Sequence, residues 1–224
     1  MAGRRARRSI PSTGLSEAGL RTLVIETATA ACSAALIEDG AVVAAAHEVV
    51  GRGHAERLLP MIAGLPDGGR AQHILVDCGP GSFTGVRVGL AAARALAFGW
   101  TASIAGYSSL SLLAAAAFRA NSGIATLASV IEGGHGEVFM QTFDAPLCAT
   151  SQLASLRPDV ALARIDSRFA VGSGVRLIAG LDPAHADGAA LPCAADAPML
   201  PAAFTALAAV PLYGRPPDAK PAAA

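Results

Sequence analysis

The chain is short of charge, aromatic rings, paired cysteines and long apolar runs, and each shortage closes off a class of protein. Charged residues make up 15% of the 224 residues, and 17 Lys plus Arg balance 17 Asp plus Glu. No net field therefore draws the molecule toward a polyanion, and tight unaided binding of RNA is not expected. The four cysteines, Cys32, Cys78, Cys148 and Cys193, form no CxxC pair, which argues against a zinc site and leaves a cytoplasmic chain with reduced thiols as the default. Among His47, His54, His73, His135 and His185 no two stand three to five positions apart, so a helix-borne metal pair is lacking. No stretch reaches the length of a membrane span. Arg4, Arg5, Arg7 and Arg8 lead into the polar run Pro11 to Glu17, which does not suit a secretory signal. What is present is 53% hydrophobic residues, enough for a large core and for an apolar interface.

Residues 1 to 20 carry the Arg cluster without periodicity and read as a flexible N-terminal extension or an over-long start of translation. From Arg21 the pattern changes. Leu23-Val24-Ile25 is a buried strand ending at Glu26-Thr27, and Ser33 to Ile37 and Ala41 to Val49 flank Asp39-Gly40, a dipeptide suited to a two-residue hairpin turn. His54 to Leu65 puts Leu58, Met61, Ile62 and Leu65 at helical spacing. Ile74-Leu75-Val76 is the next strand, followed by a glycine-rich loop and a helix through Val86, Leu90, Ala93 and Ala97. Ile104 marks a short strand, Ser108 to Arg119 a helix, and Ile124 to Ile131 with Glu137 to Phe143 a strand pair. Past Cys148 the pattern weakens. Arg168 to Val171 reads as a strand, Gly174 to Ile178 as a helical turn, Met199 to Val210 as a closing helix, and the proline-rich end as a frayed tail. The order predicts a mixed sheet covered by helices.

The loop Gly79-Pro80-Gly81-Ser82-Phe83-Thr84-Gly85 admits two readings. Ser82 or Thr84 can cap the following helix, whose free amides would suit an anion. Alternatively Gly85 and Gly89, four apart, let another backbone come close. The loop fits neither the Walker pattern nor the dinucleotide fingerprint, and no His and acid are marked out to activate Ser82 as a nucleophile.

The run Gly79 to Gly89 resembles the signature of the TsaB (YeaZ) family. Its neighbours match in order: Ile25 to Leu36 and His54-Ala55-Glu56-Arg57-Leu58-Leu59-Pro60-Met61 before it, Gly106-Tyr107-Ser108-Ser109-Leu110 and Gly136-Glu137-Val138-Phe139 after it, and Tyr213-Gly214-Arg215 near the end. The resemblance covers residues 21 to 143 well and the remainder thinly. It implies an α/β fold of the actin/hexokinase/Hsp70-like type (ASKHA, ribonuclease H-like). That fold has two lobes with mixed sheets covered by helices, here residues 21–106 and 107–213, with residues 214–224 as a tail.

The resemblance also implies a non-catalytic subunit that dimerises with and activates TsaD. With TsaE and the carboxylate donor made by TsaC, TsaD transfers a threonylcarbamoyl group to adenosine 37 of tRNAs reading codons that start with adenine. ATP and magnesium would be used by the assembled complex and not bound by this chain, tRNA would be met only through the complex, and no membrane is involved. A homodimer in the absence of TsaD is compatible with this reading. The implied partner face comprises His54, Leu58, Leu59, Met61 and Ile62 on one helix, with Gly81, Ser82, Phe83, Thr84, Gly85, Arg87 and Gly89 on the loop and the next helix. On that basis Leu58→Asp is expected to leave the monomer folded and abolish the complex.

Departures from the family pattern are Glu26 where Asp is usual, Glu132-Gly133-Gly134-His135 where an acidic-Ala-Arg run is usual, and a short Leu65 to Gln72 that would lack a connecting helix. Glu26 moves a carboxylate by about a bond length, which disturbs an octahedral magnesium shell. The rivals are an ATP-dependent phosphotransferase of the same fold and a glycoprotease-like peptidase.

Overall fold

The structure, a computed structural model, describes residues 19–214; the Arg cluster, most of the expected extension and tail, and Arg215 lie outside them. The first sheet holds β1 (Arg21–Glu26), β2 (Ala31–Glu38), β3 (Ala41–Val49), β4 (His73–Asp77) and β5 (Ser103–Tyr107), in the order β3-β2-β1-β4-β5. β1, β2 and β3 run antiparallel, and β4 and β5 continue the sheet parallel to β1. The two unbroken apolar runs, Leu23-Val24-Ile25 and Ile74-Leu75-Val76, become its central parallel strands, buried on both faces. The β2–β3 turn is the one expected: Asp39 and Gly40 both have positive φ, 51° and 79°.

α1 (His54–Ala63) and α2 (Phe83–Trp100) cover one face of this sheet, packing Leu58, Ile62 and Leu90 on Leu23, Ile25 and Ile74. The link after α1 is a tight turn over Pro66–Gly69, in which Asp67 and Gly68 take positive φ of 52° and 64°. α3 (Ser109–Ala120) lies on the other face and is apolar nearly all round, as a helix buried between layers must be. Its Leu110, Leu112 and Leu113 share one core with Val24 and Leu75 of the first sheet and with Leu127, Ile131 and Phe143 of a second.

The second sheet comprises β6 (Thr126–Glu132), β7 (Val138–Asp144), β8 (Cys148–Ala149), β9 (Ala154–Leu156) and β10 (Phe169–Val171). β6 and β7 are antiparallel, β9 pairs antiparallel with β7, and β10 lies parallel beside β6. The spatial order β9-β7-β6-β10 thus repeats β3-β2-β1-β4. α4 (Pro158–Ile165) and α5 (Val175–Ala179) cover its far face through Ala161, Ile165, Val175 and Ile178.

The closing helix expected over Met199 to Val210 is absent. Pro198 and Pro201 remove amide donors there, and the chain makes two 3-10 turns, Ala194–Met199 and Ala202–Phe204. It then runs extended onto the first sheet, bridging Gly106 through Leu207 and bonding Cys78 O through the Leu212 amide at 2.8 Å.

Candidate functional site

The glycine loop is built against the turn that follows β1. The Ser82 amide donates to Ala28 O at 2.6 Å, and Ser82 Oγ accepts from the Gly85 amide at 3.2 Å, so Ser82 is the cap of α2. Thr27 Oγ1 donates to Gly85 O at 2.8 Å. A β-carbon would stand 2.0 Å from Ala28 O at Gly81, 2.1 Å from Thr27 O at Gly85 and 2.4 Å from Thr27 Oγ1 at Gly89. The close approach that these glycines allow is therefore made inside the chain. His54 serves the same turn: its Nε2 lies 2.9 Å from Thr29 O and 3.1 Å from Ala31 O, two acceptors, so this nitrogen carries a proton and ties α1 to residues 29–31.

The residues expected on a partner face divide accordingly. His54, Leu58, Ile62, Gly85 and Gly89 are buried in the chain's own packing, which corrects the expectation that Leu58→Asp leaves the monomer folded. Helical spacing turns Leu58, Ile62 and Leu65 to the sheet and Leu59 away from it. Leu59 is 51% and Phe83 70% exposed; Ser82 and Thr84 are also exposed, and Gly81, Met61 and Arg87 are half-buried. Arg87 is held within the chain. Its Nη1 donates to Phe83 O at 2.8 Å, its Nη2 donates to the Tyr213 hydroxyl at 3.0 Å, and its guanidinium carbon sits 3.3 Å from the centre of the Phe83 ring.

Beneath the loop lies a polar cluster that no spacing along the chain brings together. Ile25 pairs with Val76 in the parallel register, which brings Glu26 and Asp77 side by side at the ends of β1 and β4, both with no solvent exposure. Glu26 Oε1 accepts from the Ala28 amide at 2.9 Å, and Oε2 is 3.0 Å from the Tyr107 hydroxyl. Asp77 accepts from the Gly79 amide at 2.8 Å and from the Ser109 hydroxyl at 2.7 Å. Burial, and then the charge of Asp77, hold the Glu26 carboxyl well above its usual range, and burial raises Asp77 as well, so the pair keeps a proton between the two carboxyls. The signal available in the sequence is two apolar runs each ending in an acid, Leu23 to Glu26 and Ile74 to Asp77. Both carboxyls face inward and their oxygens are taken up by chain donors, so they do not fit a magnesium ion shared with a nucleotide. Among the described residues no group of three or more His, Cys, Asp or Glu is placed to hold a metal.

The sign of the pH effect follows. Because the folded state holds the Glu26 proton above the unfolded value of 4.5, folding stability present below that pH is lost as pH rises toward the raised folded pKa. Glu26→Gln keeps the geometry: the amide oxygen accepts from Ala28, and the two N–H groups donate to Asp77 and Tyr107 while the Tyr107 hydroxyl donates to Ile25 O, 3.2 Å away. The variant should melt close to the parent near about pH 5 and above it near about pH 8, the gap widening by up to about 1.4 kcal/mol per pH unit. Thermal melts of both proteins across this range check it, and a constant gap contradicts the shared proton.

Between the two sheets opens a cleft of about 790 Å³, lined by Thr29, Arg52, Phe83, Arg87, His135 and Tyr213 among others. At its rim Glu132, the acid of the run whose next two residues Gly133 and Gly134 depart from the family pattern, forms a two-pronged ion pair with Arg176.

Residues 44–145 match a family model described as TsaD: tRNA N6-adenosine threonylcarbamoyltransferase. The tRNA threonylcarbamoyladenosine biosynthesis protein TsaB of Escherichia coli is 41% identical over 125 residues, 54% of this chain and 53% of that protein. The chain spans about half the length of the curated relatives it matches under that name. An uncharacterized protein of Mycobacterium tuberculosis is 33% identical over 227 aligned positions, 90% of this chain and 94% of that one. The solved structure of YeaZ from Pseudomonas aeruginosa superposes with a TM-score of 0.70 at 28% identity, covering 87% of this chain and 99% of that chain.

The repeated strand order, the helices on both sheets and the cleft between them define an actin/hexokinase-like α/β protein. Within that class the chain belongs to the TsaB (YeaZ) family.

Proposed function

We propose that this chain is a non-catalytic cytoplasmic subunit that binds and activates TsaD for threonylcarbamoyl transfer to adenosine 37 of tRNAs reading codons that start with adenine. The observation that carries this is the outward side of α1 and α2. Both helices pack on the same sheet face and leave Ala55, Leu59 and Ala63 exposed on one and Ala91, Ala95 and Phe98 on the other, with Phe98 92% exposed. Small residues at helical spacing around a few large apolar ones suit close packing against helices of another chain. The interface therefore narrows to Leu59, Met61, Phe83, Thr84 and the outer side of α2. TsaE, ATP, magnesium and tRNA would enter through the assembled complex, and docking would act by shifting TsaD toward its competent conformation. The sealed Glu26–Asp77 pair supports a role without chemistry of its own.

Leu59→Asp is expected to leave the circular dichroism melt unchanged and to weaken capture by purified TsaD by at least roughly thirty-fold, the loss of one central anchor. Undiminished binding by the folded variant would contradict the assignment of this face. Light scattering of the parent and variant, each alone, reads whether the same face also makes a homodimer.

The cleft, with Arg52 and Arg87 at its walls, favours one rival, a nucleotide-dependent phosphotransferase of the same fold. Calorimetry of the isolated chain with ATP and magnesium separates the two: heat of binding supports the rival, and its absence supports the partner subunit.

A further inference from the structure

A small pocket of mixed apolar and polar lining lies on the far face of the second sheet, away from the loop, the cleft and the α1–α2 face. It measures about 190 Å³. Met140 and Thr142 of β7 with Ala154 and Leu156 of β9 line it, Ser151 and Gln152 of the β8–β9 connection add polar atoms, and Arg164 of α4 and Arg168 before β10 complete it. The lining therefore carries two cations and no acid.

Neither arginine has an acidic partner among the described residues. The acids nearest in sequence do not supply one: Asp159 pairs with Arg157 at 2.6 Å, and Asp166 is not among the lining residues. Arg168 makes one long bond, from Nη1 to Ile165 O at 3.4 Å, and its Nε–H is buried with no acceptor. A guanidinium has five donors in a fixed fork, so most of this one's hydrogen-bonding capacity is unspent. Arg168 is partly exposed but its Nε–H lies out of solvent contact, so leaving that one donor unpaired is costly, and an anion held in the pocket that both arginines line would satisfy it. The Ser151 hydroxyl already accepts from the Thr142 amide at 3.0 Å, which fixes it at the pocket wall and leaves its proton available to donate.

We propose that Arg164 and Arg168 form a binding site for a small tetrahedral oxyanion of the phosphate type, with Ser151 and Gln152 as supporting donors. The volume corresponds to about six water molecules at roughly 30 Å³ each. That is room for a phosphate group and a few atoms more, and not for a ribose with a base. The anion is therefore inorganic phosphate or the terminal phosphoryl group of a small molecule whose remainder lies outside the opening.

The test is calorimetric titration of the full chain with sodium phosphate and, separately, with ribose 5-phosphate, at fixed ionic strength held with chloride. Saturable binding of inorganic phosphate is expected, weakened about ten-fold or more in Arg168→Gln and again in Arg164→Gln/Arg168→Gln, and restored in part by Arg168→Lys. Tighter binding of the sugar phosphate identifies a phosphoryl group on a small molecule, and equal binding identifies the free ion. Circular dichroism melts accompany each variant; because Arg164 is exposed, Arg164→Gln alone should melt like the parent and still weaken binding, which keeps the test open if Arg168 variants unfold. The proposal is overturned if phosphate gives no saturable heat at fixed ionic strength, or if the folded Arg164→Gln variant binds it as the parent does.

Discussion

Leu58→Asp is expected to abolish folding of the isolated chain, while Leu59→Asp next to it leaves the fold intact. Leu58 is 1% exposed and packs with Ile62, Leu23 and Ile74 beneath α1. Removing a buried leucine costs about 2–5 kcal/mol, and an unpaired carboxylate in its place costs several more. Together these consume most or all of the roughly 5–15 kcal/mol that stabilises a domain. Leu59 is one residue on, about 100° around the helix, and half exposed. Soluble yield and far-UV circular dichroism of the two variants check the contrast. A folded, cooperative Leu58→Asp protein would mean that α1 is not seated on the sheet as described.

Gly85→Ala is the second large effect, because one methyl group has nowhere to go. Its β-carbon would lie 2.1 Å from Thr27 O, and α2 cannot retreat without breaking the Thr27 hydroxyl bond to Gly85 O and the Ser82 cap. Overpacking of this kind costs about 1–3 kcal/mol and occasionally more, and loss of the cap adds about 1 kcal/mol. At Gly99, on the same helix, a β-carbon would meet nothing within 4 Å, so Gly99→Ala should be neutral or stabilise by up to about 1 kcal/mol, the helix preference of alanine. Urea denaturation of the pair reads the difference directly. Equal midpoints would show that the glycines at 85 and 99 serve the same purpose, contrary to the packing described.

The contrast between these variants also marks where the sequence is informative. Leu23 to Ile25 and Ile74 to Val76 are legible as strands because a run buried on both faces needs no partner to be recognised, and Asp39-Gly40 because a two-residue turn demands positive φ. The helix over residues 83–100 is legible from its spacing and its cap. Helical spacing sets Leu58, Ile62 and Leu65 apart from Leu59, but whether the apolar side meets the chain's own sheet or a partner is not legible until the sheet beneath it is placed. The Glu26–Asp77 pair depends on the parallel register of two strands far apart in the chain, a non-local fact that no spacing rule supplies. In the last third, β8, β9 and α4 are too short for periodicity to show, and the helix expected near residue 200 lost to prolines and to an extended segment that bonds back to Cys78 and Gly106. The arginine pocket is invisible for the same reason: Ser151, Arg164 and Arg168 meet only when β9 pairs with β7.

The partner-subunit account is tested most directly by reconstitution. Purified TsaD and TsaE are given tRNA, ATP, magnesium and the threonylcarbamoyl donor, and modified adenosine 37 is measured with this chain and without it. The account predicts product only when the chain is present, and little with Leu59→Asp in its place. Product formed equally well in its absence would contradict it.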